Sequence, residues 1–163
     1  MRINDPAKKP FGKQLKEQGV ILEWVAKSRL EIDASRLIVL NAAIQIDNGG
    51  AKTALKEIAE AKILVPTMAL TVIDRAVQAF GGAGVCQDTP LASMWANIRT
   101  LRLADGPDEV HLQQMGRNEN KRGAAVTAVI QNQEKASRQL FEYYGINAQD
   151  SQLGGQIKSR SKL

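Results

Sequence analysis

The sequence is poor in the residues that make sites easy to recognise. Cys86 is the only cysteine, so an intrachain disulfide is excluded. His111 is the only histidine, and no metal-ligand set is expected. Aromatic residues make up 4% of the chain, which leaves the core to Leu, Ile, Val and Ala. Strand signals are nearly absent: Ile63-Leu64-Val65 is the one strand-like run, and its flanks are helical. No unbroken apolar run approaches the ~20 residues of a membrane span, and the N-terminus has no secretory apolar core. No internal repeat is visible. These absences point away from a disulfide scaffold, a β fold and a membrane-spanning protein.

What is present is helical periodicity. At 163 residues, with 44% hydrophobic and 24% charged residues, the chain is an ordinary globular domain in size and composition. After a polar lead-in with Pro6 and Pro10, a helical pattern runs from Phe11 to about Ile46. Ile21, Val25, Ser28, Ile32, Ser35, Val39, Ala42 and Ile46 form one stripe at alternating spacings of four and three, widened by Leu30, Ala34, Leu37 and Ile44. Asp47-Asn48-Gly49-Gly50 stops it. A second pattern starts near Ala51, with Ala54, Ile58, Ala61, Val65, Met68, Val72 and Ala79 on one face and Pro66 inside. The Gly81–Gly84 cluster ends it. A third helix starts at Thr89-Pro90, with Asp88 or Thr89 as N-cap, and a fourth at Asp105 to Pro107. The fold class predicted is all-α, an antiparallel up-and-down four-helix bundle. The expected divisions are a lead-in over 1–10, the bundle over 11–122, an extra amphipathic helix over 123–144 and a flexible tail over 145–163.

The formal charge of +5 is unevenly spread: Arg2, Lys8, Lys9, Lys13 and Lys16 face Asp5 alone, and Lys158, Arg160 and Lys162 end the chain. Such patches could meet phosphates of CoA, a dinucleotide or nucleic acid, although a solvated surface and tails are the favoured reading before any motif is considered. A nucleic-acid reading rests on charge alone, without aromatic platforms or helix-turn-helix spacing, so no nucleic-acid partner is expected.

Two loops hold the residues that could carry chemistry. Gln78-Ala79-Phe80-Gly81-Gly82-Ala83-Gly84-Val85 is a helix stop and turn, but Gln78 one turn earlier offers an amide that both donates and accepts. The other loop is Asp105-Gly106-Pro107-Asp108-Glu109, with three acids in five residues around Gly-Pro. That exceeds what helix capping requires, and a carboxylate on such a turn is placed to act as a base. Burial would raise its pKa and the helix terminus would lower it. Cys86 reads as a buried, unreactive thiol, His111 as a capping or packing residue, and Trp24 and Trp95 as core or interface side chains.

Phe11-Gly12-Lys13-x-Leu15, the Gln78–Val85 loop, Asp88 to Pro90 and the 104–111 segment follow one another in an order and spacing that resemble the C-terminal helical bundle of the acyl-CoA dehydrogenase family, over about residues 8 to 117. The resemblance implies an FAD-dependent oxidoreductase that desaturates acyl-CoA thioesters in fatty acid oxidation and assembles as a homodimer or homotetramer. It implies that Asp105 is the catalytic base, where most of the family carries glutamate in Glu-Gly-Thr. The present Asp-Gly-Pro-Asp-Glu-Val-His belongs to one branch of the family, and Pro107 replaces a threonine that usually bonds the flavin nucleotide. Gln78 and Gly82 fall at FAD contacts made by the partner subunit, Gly81 and Gly84 allow the close approach, and Glu109 sits at another nucleotide contact. Lys8 stands where the family usually has arginine, three residues before Phe11, in the N-terminal FAD motif. Lysine there supplies a point charge rather than a planar fork.

The family's N-terminal helical domain and middle β domain are not in this sequence. The chain reads as a fragment or as one subunit of a split enzyme, with those domains on another chain and doubtful competence alone. The alternative is a non-catalytic helical oligomerisation or assembly module. Ser161-Lys162-Leu163 has the form of a C-terminal peroxisomal address, and the expected localisation is the peroxisome, through an import receptor.

Overall fold

The protein, seen in a computed structural model, is described over residues 2–146; the Ser-Lys-Leu tripeptide and the rest of 147–163 lie outside the described residues. Among the described residues the only regular structure is helical: α1 (Gly19–Gly49), α2 (Leu55–Phe80), a single turn α3 (Gly82–Val85), α4 (Leu91–Thr100) and α5 (Asp108–Tyr143). Among the described residues the chain is all-α, as expected from the periodicity, with four longer helices joined by short turns. The chain divides into two compact units, Met1–Met115 and Gly116–Leu163.

The first unit is organised around α2, which packs on α1, α3 and α4. On α1 the buried residues are Ile21, Ser35 and Ala42, all members of the predicted stripe. The residues that widen the stripe stay uncovered, with Leu30 71% and Leu37 66% exposed. On α2 the deepest burial is at Ala59, Pro66, Leu70 and Ile73, a second stripe beside the predicted one. A central helix must be apolar on two faces, and this accounts for its hydropathy. By length and composition α2 is long and apolar enough to cross a bilayer, a property that escapes a search for unbroken apolar runs. Its packing on three helices makes it the core helix of the bundle. A two-pronged ion pair fixes α2 against α1: Arg75 donates to Glu31 at 2.5 and 2.7 Å and to Ser28 Oγ at 3.1 Å.

Several boundaries differ from expectation. The first helix begins at Gly19, because residues 10–17 form two 3-10 turns in which Phe11 and Gly12 both have positive φ. Neither Asp88 nor Thr89 caps α4. Thr89 Oγ1 instead donates to Ala83 O at 3.0 Å and closes the glycine loop. The second unit holds the rest of α5, and the expected break at 122/123 is absent. Gly116 and Gly123 sit inside the helix with open space beside them, each costing about 1 kcal/mol against alanine without ending it. The stop comes at Gly145, whose positive φ and N–H bond to Glu142 O pair with Ile146 N–H to Phe141 O, the double bond of a Schellman turn.

Candidate functional site

The chain leaves α4 through a tight reversal in which Asp105 (φ 54°) and Gly106 (φ 97°) both take the left-handed region. For glycine this is free; for an aspartate it costs about 1–2 kcal/mol, which neighbouring contacts must offset. His111, one turn into α5, lies with Nε2 3.3 Å from Asp105 O and so touches the turn rather than capping a helix end. The Asp105 side chain is exposed, as is Glu109 in the first turn of α5.

The third acid behaves differently. Asp108 is 3% exposed and lies between two cations. Lys62 of α2 donates to its Oδ1 at 3.0 Å, and Arg102 Nε to its Oδ2 at 2.6 Å. Lys62 also reaches Gly106 O at 2.5 Å and Arg102 O at 3.4 Å. Burial pushes the Asp108 carboxyl up, but the hydrogen bonds and charges of Arg102 and Lys62 prevail and hold it below its usual 3.8. Sequence reasoning missed Lys62 and Arg102. One signal was available: Lys62 is a lone charge in the apolar run Ala61 to Val65, and a charge there needs a buried partner.

In the other loop the glycines separate by cause. Gly81 has φ 64° and donates to both Val77 O and Gln78 O, ending α2. Gly84 is buried, and a Cβ on it would fall 2.5 Å from Val77 O and 2.8 Å from Val77 Cα. Its smallness is therefore needed for packing α3 on the last turn of α2. Gly82 has neither constraint: its φ is ordinary and a Cβ would meet nothing within 4 Å. Gln78 and Gly82 are both exposed. A mostly apolar groove of about 310 Å³, lined by Asp74, Val77, Gly84, Val85, Ala92 and Trp95, adjoins the loop. Cys86, expected to be buried, is exposed.

In the lead-in, Lys8 is exposed and Phe11 is 98% exposed with φ 57°. A bulky aromatic in that region of backbone space, with its ring in water, gains nothing from its own chain. Gln18 Nε2 bonds Pro10 O at 3.0 Å and ties the lead-in to the start of α1.

Within one chain the two loops are held at different levels of α2. The Asp105 turn is hooked at Lys62, whereas the glycine loop follows Gln78, sixteen residues and about 24 Å further along the helix axis. Any group touching both must be long or shared between chains.

The model of the acyl-CoA dehydrogenase C-terminal domain matches residues 7–119. The chain belongs to the acyl-CoA dehydrogenase family. Its sequence is 54% identical over 109 residues to acyl-CoA dehydrogenase family member 11 of Rattus norvegicus, covering 67% of this chain and 14% of the relative. It is 53% identical over 111 residues to family member 10 of Mus musculus, covering 68% of this chain and 10% of that protein. The chain thus spans about a seventh of the first of these relatives and a tenth of the second. Among solved structures, butyryl-CoA dehydrogenase of Megasphaera elsdenii is similar at a TM-score of 0.63 and 29% identity, over 68% of this chain and 28% of that one. An FAD complex of PigA is similar at a TM-score of 0.64 and 25% identity, over 71% and 30%. The chain carries the C-terminal domain of an acyl-CoA dehydrogenase, and the family is one of flavoprotein oxidoreductases that act on acyl-CoA and oligomerise.

Proposed function

We propose that this chain supplies the catalytic base and part of the FAD surface for α,β-desaturation of an acyl-CoA thioester. The observation that carries the reading is the Asp105–Gly106 turn, an exposed carboxylate held in left-handed backbone at the head of α5. The chemistry a bound FAD would supply is that of an acceptor for the substrate's β-hydride. The Asp105 carboxylate takes the α-proton, and its fixed turn keeps one oxygen aimed while Asp108, buried and paired, stays out of the proton transfer. Gln78 and Gly82 meet FAD across a subunit boundary, with Gly82 free of any constraint from its own chain. Phe11 and Lys8 offer an uncovered ring and a cation to the same cofactor, and Glu109 lies beside the base turn.

The apolar residues left exposed on α1, among them Leu22, Leu30, Leu37 and Ile44, fit assembly into a homodimer or homotetramer. They also favour the second reading, a module that only oligomerises. Gel filtration after incubation with FAD separates the two. Flavin absorbance co-eluting with an oligomer supports the cofactor reading, whereas a colourless, well-folded oligomer supports the assembly module. In the complete enzyme Asp105→Asn should abolish dehydrogenation with FAD still bound, and retained turnover removes Asp105 as the base. Ser161-Lys162-Leu163 is proposed as a peroxisomal address. Removing Leu163 from a tagged protein should leave it in the cytosol, and unaltered import would dismiss the address.

A further inference from the structure

Lys62 makes more bonds than a counter-ion needs. Asp108 is already paired by Arg102 Nε at 2.6 Å, yet Lys62 is brought in from α2 with its side chain 16% exposed. An ammonium has three hydrogens, and here only one acceptor is the carboxylate. The other two are backbone carbonyls, Arg102 O at 3.4 Å and Gly106 O at 2.5 Å. These carbonyls bracket Asp105, the non-glycine residue held at φ 54°. Asp108 N–H donates to the same Arg102 O at 3.2 Å, closing the reversal from inside. The carboxylate of Asp108 holds the ammonium in place, and the ammonium holds the turn.

We infer that Lys62 is a positioning residue for Asp105: by gripping the carbonyls of Arg102 and Gly106 it fixes the left-handed turn that aims the Asp105 carboxylate. The inference rests on the reading of Asp105 as the base. It differs from a plain stability role because a buried ion pair by itself says nothing about where Asp105 points.

The test uses the FAD-loaded holoenzyme with Lys62→Met, which leaves Asp108 paired with Arg102, and, because that change takes one of two cations from a buried carboxylate, also the charge-balanced pair Lys62→Met with Asp108→Asn. Hydrogen exchange across residues 104–111 reports the turn, and the single-turnover rate of flavin bleaching by acyl-CoA reports proton transfer. In the double variant we expect flavin content and KM within about twofold of the parent. Exchange in the turn should rise at least about tenfold, and bleaching should slow by about thirtyfold or more. Parental exchange and rate in a folded double variant overturn the proposal. So does faster exchange with an unchanged rate in an enzyme that Asp105→Asn inactivates. If Asp105→Asn itself reacts at the parental rate, the base reading fails on its own. The exchange result then decides the grip on the turn: acceleration upholds it and no change overturns it.

Discussion

Two of the glycines in the 81–84 loop, Gly82 and Gly84, provide a direct test, because the spaces beside them differ. Gly84→Ala puts a Cβ 2.5, 2.8 and 3.0 Å from Val77 O, Cα and C, all of them backbone atoms in the last turn of α2. Backbone cannot swing aside as a side-chain end can, so α3 must lift off α2 or the turn must distort. Overpacking of this kind costs about 1–3 kcal/mol, and contact with helix backbone argues for the upper end. In a chain of this size about 3 kcal/mol lowers Tm by roughly 6–12 °C. Gly82→Ala meets open space at an ordinary φ, so Tm should stay within a degree or two, or rise slightly from helix propensity. Its effect should fall on FAD affinity alone. Thermal unfolding followed by far-ultraviolet circular dichroism, with FAD titration of each variant, reads both quantities. Equal Tm values for Gly84→Ala and the parent would refute the packing argument. A Gly82→Ala protein that binds FAD as before would remove that glycine from the cofactor surface.

Three further outcomes follow from the ion pairs and from Gln78. Asp108 has a folded pKa lowered from 3.8, so its stabilising contribution is fully present above the unfolded value and is lost as pH falls through the folded one. Acid unfolding of the parent should therefore show a proton-linked loss of stability in that range, reduced in Asp108→Asn, and identical acid profiles would contradict it. Arg75→Met removes both prongs to Glu31 and should destabilise α1 against α2 by about 1–2 kcal/mol, discounted for partial exposure, measured by urea unfolding. Gln78→Ala should weaken FAD at unchanged Tm, since its side chain is exposed, and unaltered cofactor affinity would refute the contact.

The stripe on α1, the glycine stops after α1 and α2, and the acidic turn before α5 were all legible, because each depends on local spacing or on a residue with special backbone freedom. The second stripe of α2 was harder to read. Ala59, Pro66, Leu70 and Ile73 are obscured by the first stripe in a helix that is apolar on two sides, and only the packing separates them. The roles of the three acids around Gly106 were not separable in one dimension either. Asp105 and Asp108 are three residues apart, yet one is exposed and the other is buried between Lys62 and Arg102, and Lys62 lies 46 residues away in sequence. The late start of α1 depends on two consecutive positive φ values at Phe11 and Gly12. Periodicity cannot signal that, because Phe11 and Leu15 fit a helical spacing whether or not the backbone is helical.

The separation of the two loops along α2 leads to the last prediction. About 24 Å divides the hook of the Asp105 turn at Lys62 from Gln78. Either one elongated dinucleotide lies along a single α2, or the glycine loop of one chain serves the base turn of another. Complementation distinguishes the two. Asp105→Asn removes the base and leaves the glycine loop whole; Gly82→Trp blocks the loop and leaves the base whole. Each should be inactive alone as a complete enzyme. If a site joins Asp105 of one chain to the loop of its partner, a mixed dimer has one site with both defects and one with neither. Random reassembly in equal amounts should then restore about one quarter of parental activity, half of the dimers being mixed and each holding one intact site. If both loops of a site come from the same chain, every site in every mixed dimer keeps one defect and mixing restores nothing. Absence of recovery, with hybrid assembly confirmed by differential tagging, would overturn the shared-site reading and place the cofactor along a single α2.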